Sequence, residues 1–185
     1  MRRVVDVMRE LGYNDRTAQQ IEINEALALA KAGDLEGAGE AILEHLPLPP
    51  QTRRRIDAQV EGLMAMARRD VESSSRDLRT ALDANPGRDV ADDAVQIRFF
   101  LGESLWQTDR RDEASEVFRA IEGAGLPRGN QPPHWVRSLW YLGNYHADNG
   151  ENESTERYFS RFLEYWGDGE LDRDKVAEAR DFLNR

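Results

Sequence analysis

Apolar residues recur along most of the chain at spacings of three and four, with charged residues between them. This period places the apolar side chains on one stripe of a helix and the charged ones on its other faces. The pattern therefore predicts an all-α chain in which each helix buries one stripe. The predicted elements are a leading helix at 1–18, helix pairs at 19–52, 55–88, 95–128 and 136–169, and a capping helix at 173–184, all in one domain spanning 1–185.

Small residues that occur in pairs, twelve positions apart, organise this pattern into four units. Four positions beyond the second small residue comes a large apolar residue, which lies on the same helical face. Two antiparallel helices can cross closely where both present small side chains, and the large residue then fills the adjoining groove. We therefore expect one close crossing in each unit. The two small residues and the large one are Ala26, Ala38 and Ile42; Gly62, Ser74 and Leu78; Gly102, Ala114 and Phe118; and Gly143, Thr155 and Phe159.

Between the two small residues of each unit, a turn is expected seven positions after the first one. Proline cannot continue a helix, so Pro50 and Pro86 are expected to close the first two units. The four predicted turns are Gly33-Asp34, Arg69-Asp70, Asp109-Arg110 and Gly150-Glu151.

These residues resemble the tetratricopeptide repeat family, whose consensus has Leu-Gly in the first helix, Ala-x3-Phe in the second and a closing proline. Unit three carries Leu101-Gly102 and Ala114-x3-Phe118, and unit four carries Leu142-Gly143 but has Thr155 in place of alanine. The units are offset by 36, 40 and 41 residues, against about 34 in the family. The resemblance implies a right-handed α-solenoid of antiparallel helix pairs, with longer connections than usual.

The C-terminal stretches from Trp140 to Trp166 and from Val176 to Arg180 are also similar to the last repeat and cap of some bacterial multidomain signalling proteins, including serine/threonine protein kinases. The chain has no kinase Gly-rich loop, His-Arg-Asp or Asp-Phe-Gly motif. Any such catalytic domain would have to lie outside this chain.

The composition narrows the classes of partner. The chain holds 39% hydrophobic and 32% charged residues, and its formal net charge is -10. An average surface of this sign repels nucleic acid and anionic membrane, so we expect neither as a partner and favour a basic or neutral protein. No apolar run is long enough to span a membrane, and charged residues interrupt the N-terminus, which favours a cytoplasmic protein.

Few residues of the chain occur in patterns typical of catalysis or metal binding. Cysteine is absent, which excludes thiolate metal sites and a cysteine nucleophile. The histidines are not spaced as metal ligands: we expect His45 at the surface, His134 in a loop and His146 partly buried between helices. Acidic pairs such as Asp92-Asp93 and Asp112-Glu113 are expected at helix starts, where the helix dipole favours them. The sequence predicts no catalytic residue, metal or cofactor, and therefore no enzyme.

The family resemblance implies that the first helix of each pair lines a concave groove. Helical spacing then gives a largely apolar and aromatic set of groove residues, which suits a hydrophobic or amphipathic segment of a partner. The alternative is that Phe99, Trp106 and Trp140 pack in the core together with Phe100 and Tyr141. Phe100 and Tyr141 are expected in the core first, because they lie next to the face of the small residues. The predicted groove residues are Leu63, Met66, Phe99, Glu103, Trp106, Trp140 and Asn144.

The sequence thus favours a non-catalytic module that binds a protein or peptide. Two alternatives stay open. The chain could be a structural module that self-associates into a homo-oligomer, or a docking or sensory fragment of a larger bacterial kinase or regulator.

Overall fold

The computed structural model of the chain describes residues 24, 27–30, 32–34, 37, 48–84, 92–124 and 132–184. Within these ranges every regular element is a helix, which confirms the all-α prediction. The helices with described bounds are α1 Pro50–Ala67, α2 Val71–Asp83, α3 Asp92–Trp106, α4 Arg111–Gly123, α5 Pro132–Asp148, α6 Asn152–Trp166 and α7 Arg173–Leu183.

The helices pack in chain order, within two compact units at 1–86 and 87–185. In the first unit α1 packs on α2. In the second unit α3 packs on α4, α4 on α5, α5 on α6 and α6 on α7, while α3 also touches α5. The leading helix at 1–18 and most of the first helix pair lie outside the described residues, and one domain over the whole chain stays a prediction.

The predicted close crossings are present in the three units whose small and large residues the structure describes. A Cβ atom placed on Gly62 would lie 2.7 Å from Leu78, and one placed on Gly102 or Gly143 would lie 2.6 or 2.5 Å from the ring sixteen positions later. The second small residue is fully buried in each of these units. Glycine is therefore required at these three positions by close approach, as predicted. The fourth crossing, at Ala26, Ala38 and Ile42, lies outside the described residues.

The second helix of each described pair buries one stripe, as the sequence predicts. In α4 the buried residues are Ala114, Ser115, Phe118 and Ile121. The four equivalent positions are buried in α2, and three of the four are buried in α6, where Glu156 is exposed. The first helices differ: in α3 nearly every residue from Ala94 to Leu105 is buried.

All four predicted turns share one backbone geometry. Gly33, Arg69, Asp109 and Gly150 have positive φ angles of 80°, 62°, 62° and 72°. The N–H of each donates to the carbonyl three residues back, and the next N–H donates to the carbonyl five residues back; Asp70, for example, lies 2.9 Å from its acceptor. This pair of bonds is the Schellman motif that ends a helix at a left-handed residue. The four turns are confirmed.

We predict that Arg69→Gly stabilises the protein. A non-glycine residue in the left-handed region costs about 1–2 kcal/mol, and the greater freedom of glycine in the unfolded chain returns about half of that. The free energy of unfolding should rise by about 0.5–1 kcal/mol in urea denaturation. Gly150→Ala, at the equivalent turn, is the matched control and should lower it by a similar amount. Equal stabilities of all three proteins would contradict the role of these residues in the turn.

Two predictions about proline-containing segments were wrong. Pro50 was expected to close the first unit, yet it is the first residue of α1, where a missing N–H needs no partner. His134 was expected in a loop, yet it lies in α5, which begins at Pro132 for the same reason. Pro86 lies outside the described residues. The expected helix starts at Asp92-Asp93 and Asp112-Glu113 are confirmed, since these residues stand in the first turns of α3 and α4.

Candidate functional site

A row of aromatic side chains joins α3 to α5 within the second unit. The buried ring of Tyr141 stacks on Phe118, with centroids 4.5 Å apart and an interplanar angle of 4°. Two half-buried tryptophans meet this ring edge to face, Trp106 at 5.2 Å and Trp140 at 4.9 Å. Edge-to-face and stacked contacts at these distances are favourable. Tyr141 therefore holds both tryptophans in place, while each keeps part of its surface in water.

A hydrogen bond also joins Tyr141, in this row of aromatic side chains, to an acidic residue on α3. The Tyr141 hydroxyl donates a hydrogen bond of 3.1 Å to Oε1 of Glu103 on α3. Burial raises the pKa of Tyr141, and the negative charge and hydrogen bond of Glu103 raise it further. The phenol therefore remains a neutral donor, and it fixes the Glu103 carboxylate beside the tryptophans.

The first turn of α7 is bound to α5 through Asp172. Nε of Arg137 donates to one Asp172 oxygen at 2.7 Å, and Nζ of Lys175 donates to the other at 3.4 Å. Burial alone would raise the pKa of Asp172, but the hydrogen bond and charge of Arg137, together with Lys175, outweigh it and hold the pKa below its ordinary value. Lys175 Nζ also lies 5.0 Å from the centroid of the Trp140 ring.

We predict that Asp172→Asn reduces the dependence of the free energy of unfolding on pH in the acid range. A carboxyl whose pKa is lower in the folded state stabilises the fold above its ordinary value of 3.8, and this contribution is lost as the pH falls below 3.8. Urea denaturation at a series of pH values should show the wild type more stable at neutral pH and the two curves converging in acid. In an Arg137→Gln background the effect of Asp172→Asn should shrink, since the main partner is gone. Parallel curves would contradict the assignment.

Glu178 on α7 is a further carboxylate close to Trp140. Partial burial raises its pKa, the hydrogen bond of Trp140, the charge of Lys175 and the hydrogen bond of Asn144 act in the opposite direction, and Asp148 adds a like charge. Glu178 is thus an exposed carboxylate beside Trp140. We call Glu103, Trp106, Trp140, Tyr141 and Glu178 together the aromatic-acidic surface.

The structure divides the predicted groove residues between the core and the surface. Leu63 and Phe99 are 1% and 0% exposed, and a fully buried side chain offers no area to a partner. For Phe99 this matches the alternative of core packing, whereas Leu63 was expected only in the groove and is a core residue instead. Phe100 and Tyr141 are core residues, as predicted. The remaining predicted groove residues are all half-buried: Met66, which is in the first unit, and Glu103, Trp106, Trp140 and Asn144, which are in the second.

Sequence reasoning missed the contribution of α7 to this surface. Asp172, Lys175 and Glu178 are three residues apart, which places them on one face of a helix. That spacing was visible in the sequence, but the helix was interpreted only as a polar cap. The partners of this face, Arg137 and Trp140, are 35 residues away from Asp172 and Lys175.

Other candidate chemistry in the described residues is structural. His146 is buried, its Nδ1 lies 2.6 Å from Glu151 Oε2, and its ring stacks on Tyr158, which confirms a helix-packing role. His45 lies outside the described residues. Among 48–84, 92–124 and 132–184, no cluster of three or more histidine or acidic side chains is placed to hold a metal ion. No helix in the described part of the chain is long and apolar enough to cross a membrane.

The fold and this surface define the class: an all-α protein of helices packed in chain order that presents tryptophans and carboxylates together. No protein-family model matches the sequence, and neither a curated protein nor a solved structure matches it.

Proposed function

We propose that this chain is a tetratricopeptide-type right-handed solenoid that binds a protein or peptide and has no catalytic role. Support comes from the repetition of two local structures. The glycine crossing recurs at Gly62, Gly102 and Gly143, and the Schellman turn follows each crossing glycine by seven residues. A stack of such pairs has its first helices side by side, as α3 and α5 are in contact here.

The observation that carries the binding proposal is the pair of half-buried tryptophans on successive first helices. Trp106 on α3 and Trp140 on α5 both lean on Tyr141, so their orientations are set before any partner arrives. Large, rigid aromatic side chains with part of their area exposed are the residues that most often dominate binding energy at interfaces. Preorganisation of this kind also lowers the entropic cost of binding.

Capture experiments with tryptophan variants test this function. The full chain is immobilised, incubated with lysate, and the captured proteins are identified by mass spectrometry. We expect Trp106→Ala and Trp140→Ala to lose the partner that the wild type captures, with helical content and melting temperature close to those of the wild type. The exposed Glu116 on α4 supplies the control, since Glu116→Ala should capture the same partner. Retention of the partner by both tryptophan variants would overturn the proposal.

Self-association is a second candidate, favoured by exposed apolar residues near the C-terminus. Tyr165, Leu171 and Leu183 are 48%, 56% and 37% exposed. Apolar surface of this kind is a common feature of protein interfaces. Sedimentation at high micromolar concentration should show a dimer or larger species that Leu171→Asp dissociates, whereas a strictly monomeric wild type would exclude this candidate.

A further inference from the structure

Both half-buried tryptophans already carry a cation from this chain. The guanidinium of Arg111 lies 3.8 Å from the centroid of Trp106, and Nζ of Lys175 lies 5.0 Å from that of Trp140. The face of an indole ring attracts cations through its quadrupole, and a cation within about 6 Å of the centroid is bound in this way. The geometry around each ring therefore fits a positively charged group.

The charges around these rings leave the surface acidic. Two carboxylates, Glu103 and Glu178, belong to this surface. Asp172 also acts on the pKa of Tyr141, and Asp148 acts on that of Glu178. The nearby cations already donate to carboxylates: Arg137 and Lys175 both donate to Asp172, and Arg111 donates to Asp109 at 3.3 Å. Glu178 lies three residues beyond Lys175 on α7 and adds a further negative charge beside Trp140.

We infer that the aromatic-acidic surface binds a basic peptide segment, with an arginine or lysine of the partner seated over Trp140 in the place of Lys175 and paired with Glu178. This inference rests on the proposed function, and it names the chemical class of the partner. A net charge of -10 on the whole chain attracts a basic segment at long range as well.

Lys175 is the group that an incoming arginine would displace. Its bond to Asp172 is long, at 3.4 Å, and Arg137 remains on Asp172 when Lys175 leaves. Ion pairs of partly exposed lysines are weak. A guanidinium is planar and less strongly hydrated than an ammonium, so it stacks on an indole more favourably.

Three fluorescein-labelled peptides of equal length test the inference, with arginine, glutamine or glutamate at the same positions. Fluorescence anisotropy with the full chain should show binding of the arginine peptide only. Glu103→Gln combined with Glu178→Gln should weaken it about tenfold, since Glu178 loses its charge pair with the arginine and Glu103 loses its negative charge on the same surface. Glu116→Gln combined with Glu156→Gln changes the net charge equally on exposed residues of α4 and α6. This control should stay within about twofold of wild type at physiological salt, where remote charges are screened.

Three further variants separate a cation site from a general apolar contact. Lys175→Gln should tighten binding of the arginine peptide several-fold, because it removes the competing cation. Trp140→Phe should weaken binding less than Trp140→Leu does, since only the former keeps an aromatic face. Melting temperatures of all variants report whether the fold is intact.

The outcomes distinguish this inference from the function it rests on. Equal binding of the arginine and glutamine peptides, lost in Trp140→Leu, would overturn the basic partner and leave a peptide-binding surface. Preference for the glutamate peptide, or weaker binding in Lys175→Gln, would also overturn it. If no peptide binds a folded wild type, the inference fails, and the lysate capture decides the proposed function separately.

Discussion

Replacing Phe118 by alanine should lower the free energy of unfolding by about 3–5 kcal/mol, the range for deletion of a fully buried aromatic side chain. Phe118 is 0% exposed and stacks on Tyr141. The Phe118 ring also fills the space beside Gly102, since a Cβ atom placed on Gly102 would lie 2.6 Å from this ring. The deletion therefore leaves a cavity at the α3–α4 crossing and removes the support of Tyr141. Urea denaturation followed by far-UV circular dichroism measures the loss.

The neighbouring residue on the same helix supplies the control for this prediction. Val117 is half-buried, so Val117→Ala removes fewer contacts and should cost about 1 kcal/mol. The Phe118→Ala variant should also shift the tryptophan emission, because the ring of Trp106 lies 6.5 Å from that of Phe118. Similar losses at positions 117 and 118 would contradict the placement of Phe118 at the centre of this packing.

Adding a side chain at Gly143 should have the second largest effect, a loss of about 2–3 kcal/mol for Gly143→Val. A Cβ at this position would lie 2.5 Å from the Phe159 ring, closer than two carbon atoms can approach, so the ring or the helix must move. Valine has a better helix propensity than glycine, so the expected loss comes from the clash and is reduced by propensity. The loss is read from the urea midpoint, with the slope checked for a change in compactness.

Gly123 and Phe159 provide the control and the rescue for this variant. No atom lies within 4 Å of a Cβ placed on Gly123, so Gly123→Val should change stability by less than about 0.5 kcal/mol. Phe159→Leu in the Gly143→Val background should cost less than the two single changes added together, because a smaller side chain makes room at the crossing. Strict additivity would show that the two residues do not meet.

Much of the local structure could be predicted because it depends on residues close in sequence. The turns at Arg69 and Asp109 follow from the position of a helix end, and their hydrogen bonds span no more than five residues. The crossing of Gly102 with Phe118 follows from a repeated spacing, since helices joined by a short turn must pack against each other. The two errors at Pro50 and His134 arose because proline is equally compatible with following a helix and with starting one.

The site was predicted less completely, since helical spacing shows which residues share a face but does not show what covers that face. Phe99 and Trp140 occupy equivalent positions 41 residues apart. Phe99 is buried, with the ring of His134 from α5 only 4.7 Å away, while Trp140 keeps part of its area exposed beneath Lys175. No local pattern distinguishes these two environments.

The sequence by itself thus determined the helices, the turns and the crossings within each described pair, because these depend on periodicity and on contacts between neighbours along the chain. Only the tertiary structure decided which aromatic residues stay accessible and which charges stand beside them. The bond from Tyr141 to Glu103 and the contact of Lys175 with Trp140 join residues 38 and 35 positions apart. Such contacts depend on how successive pairs are stacked, and that stacking brings the tryptophans and carboxylates into one surface.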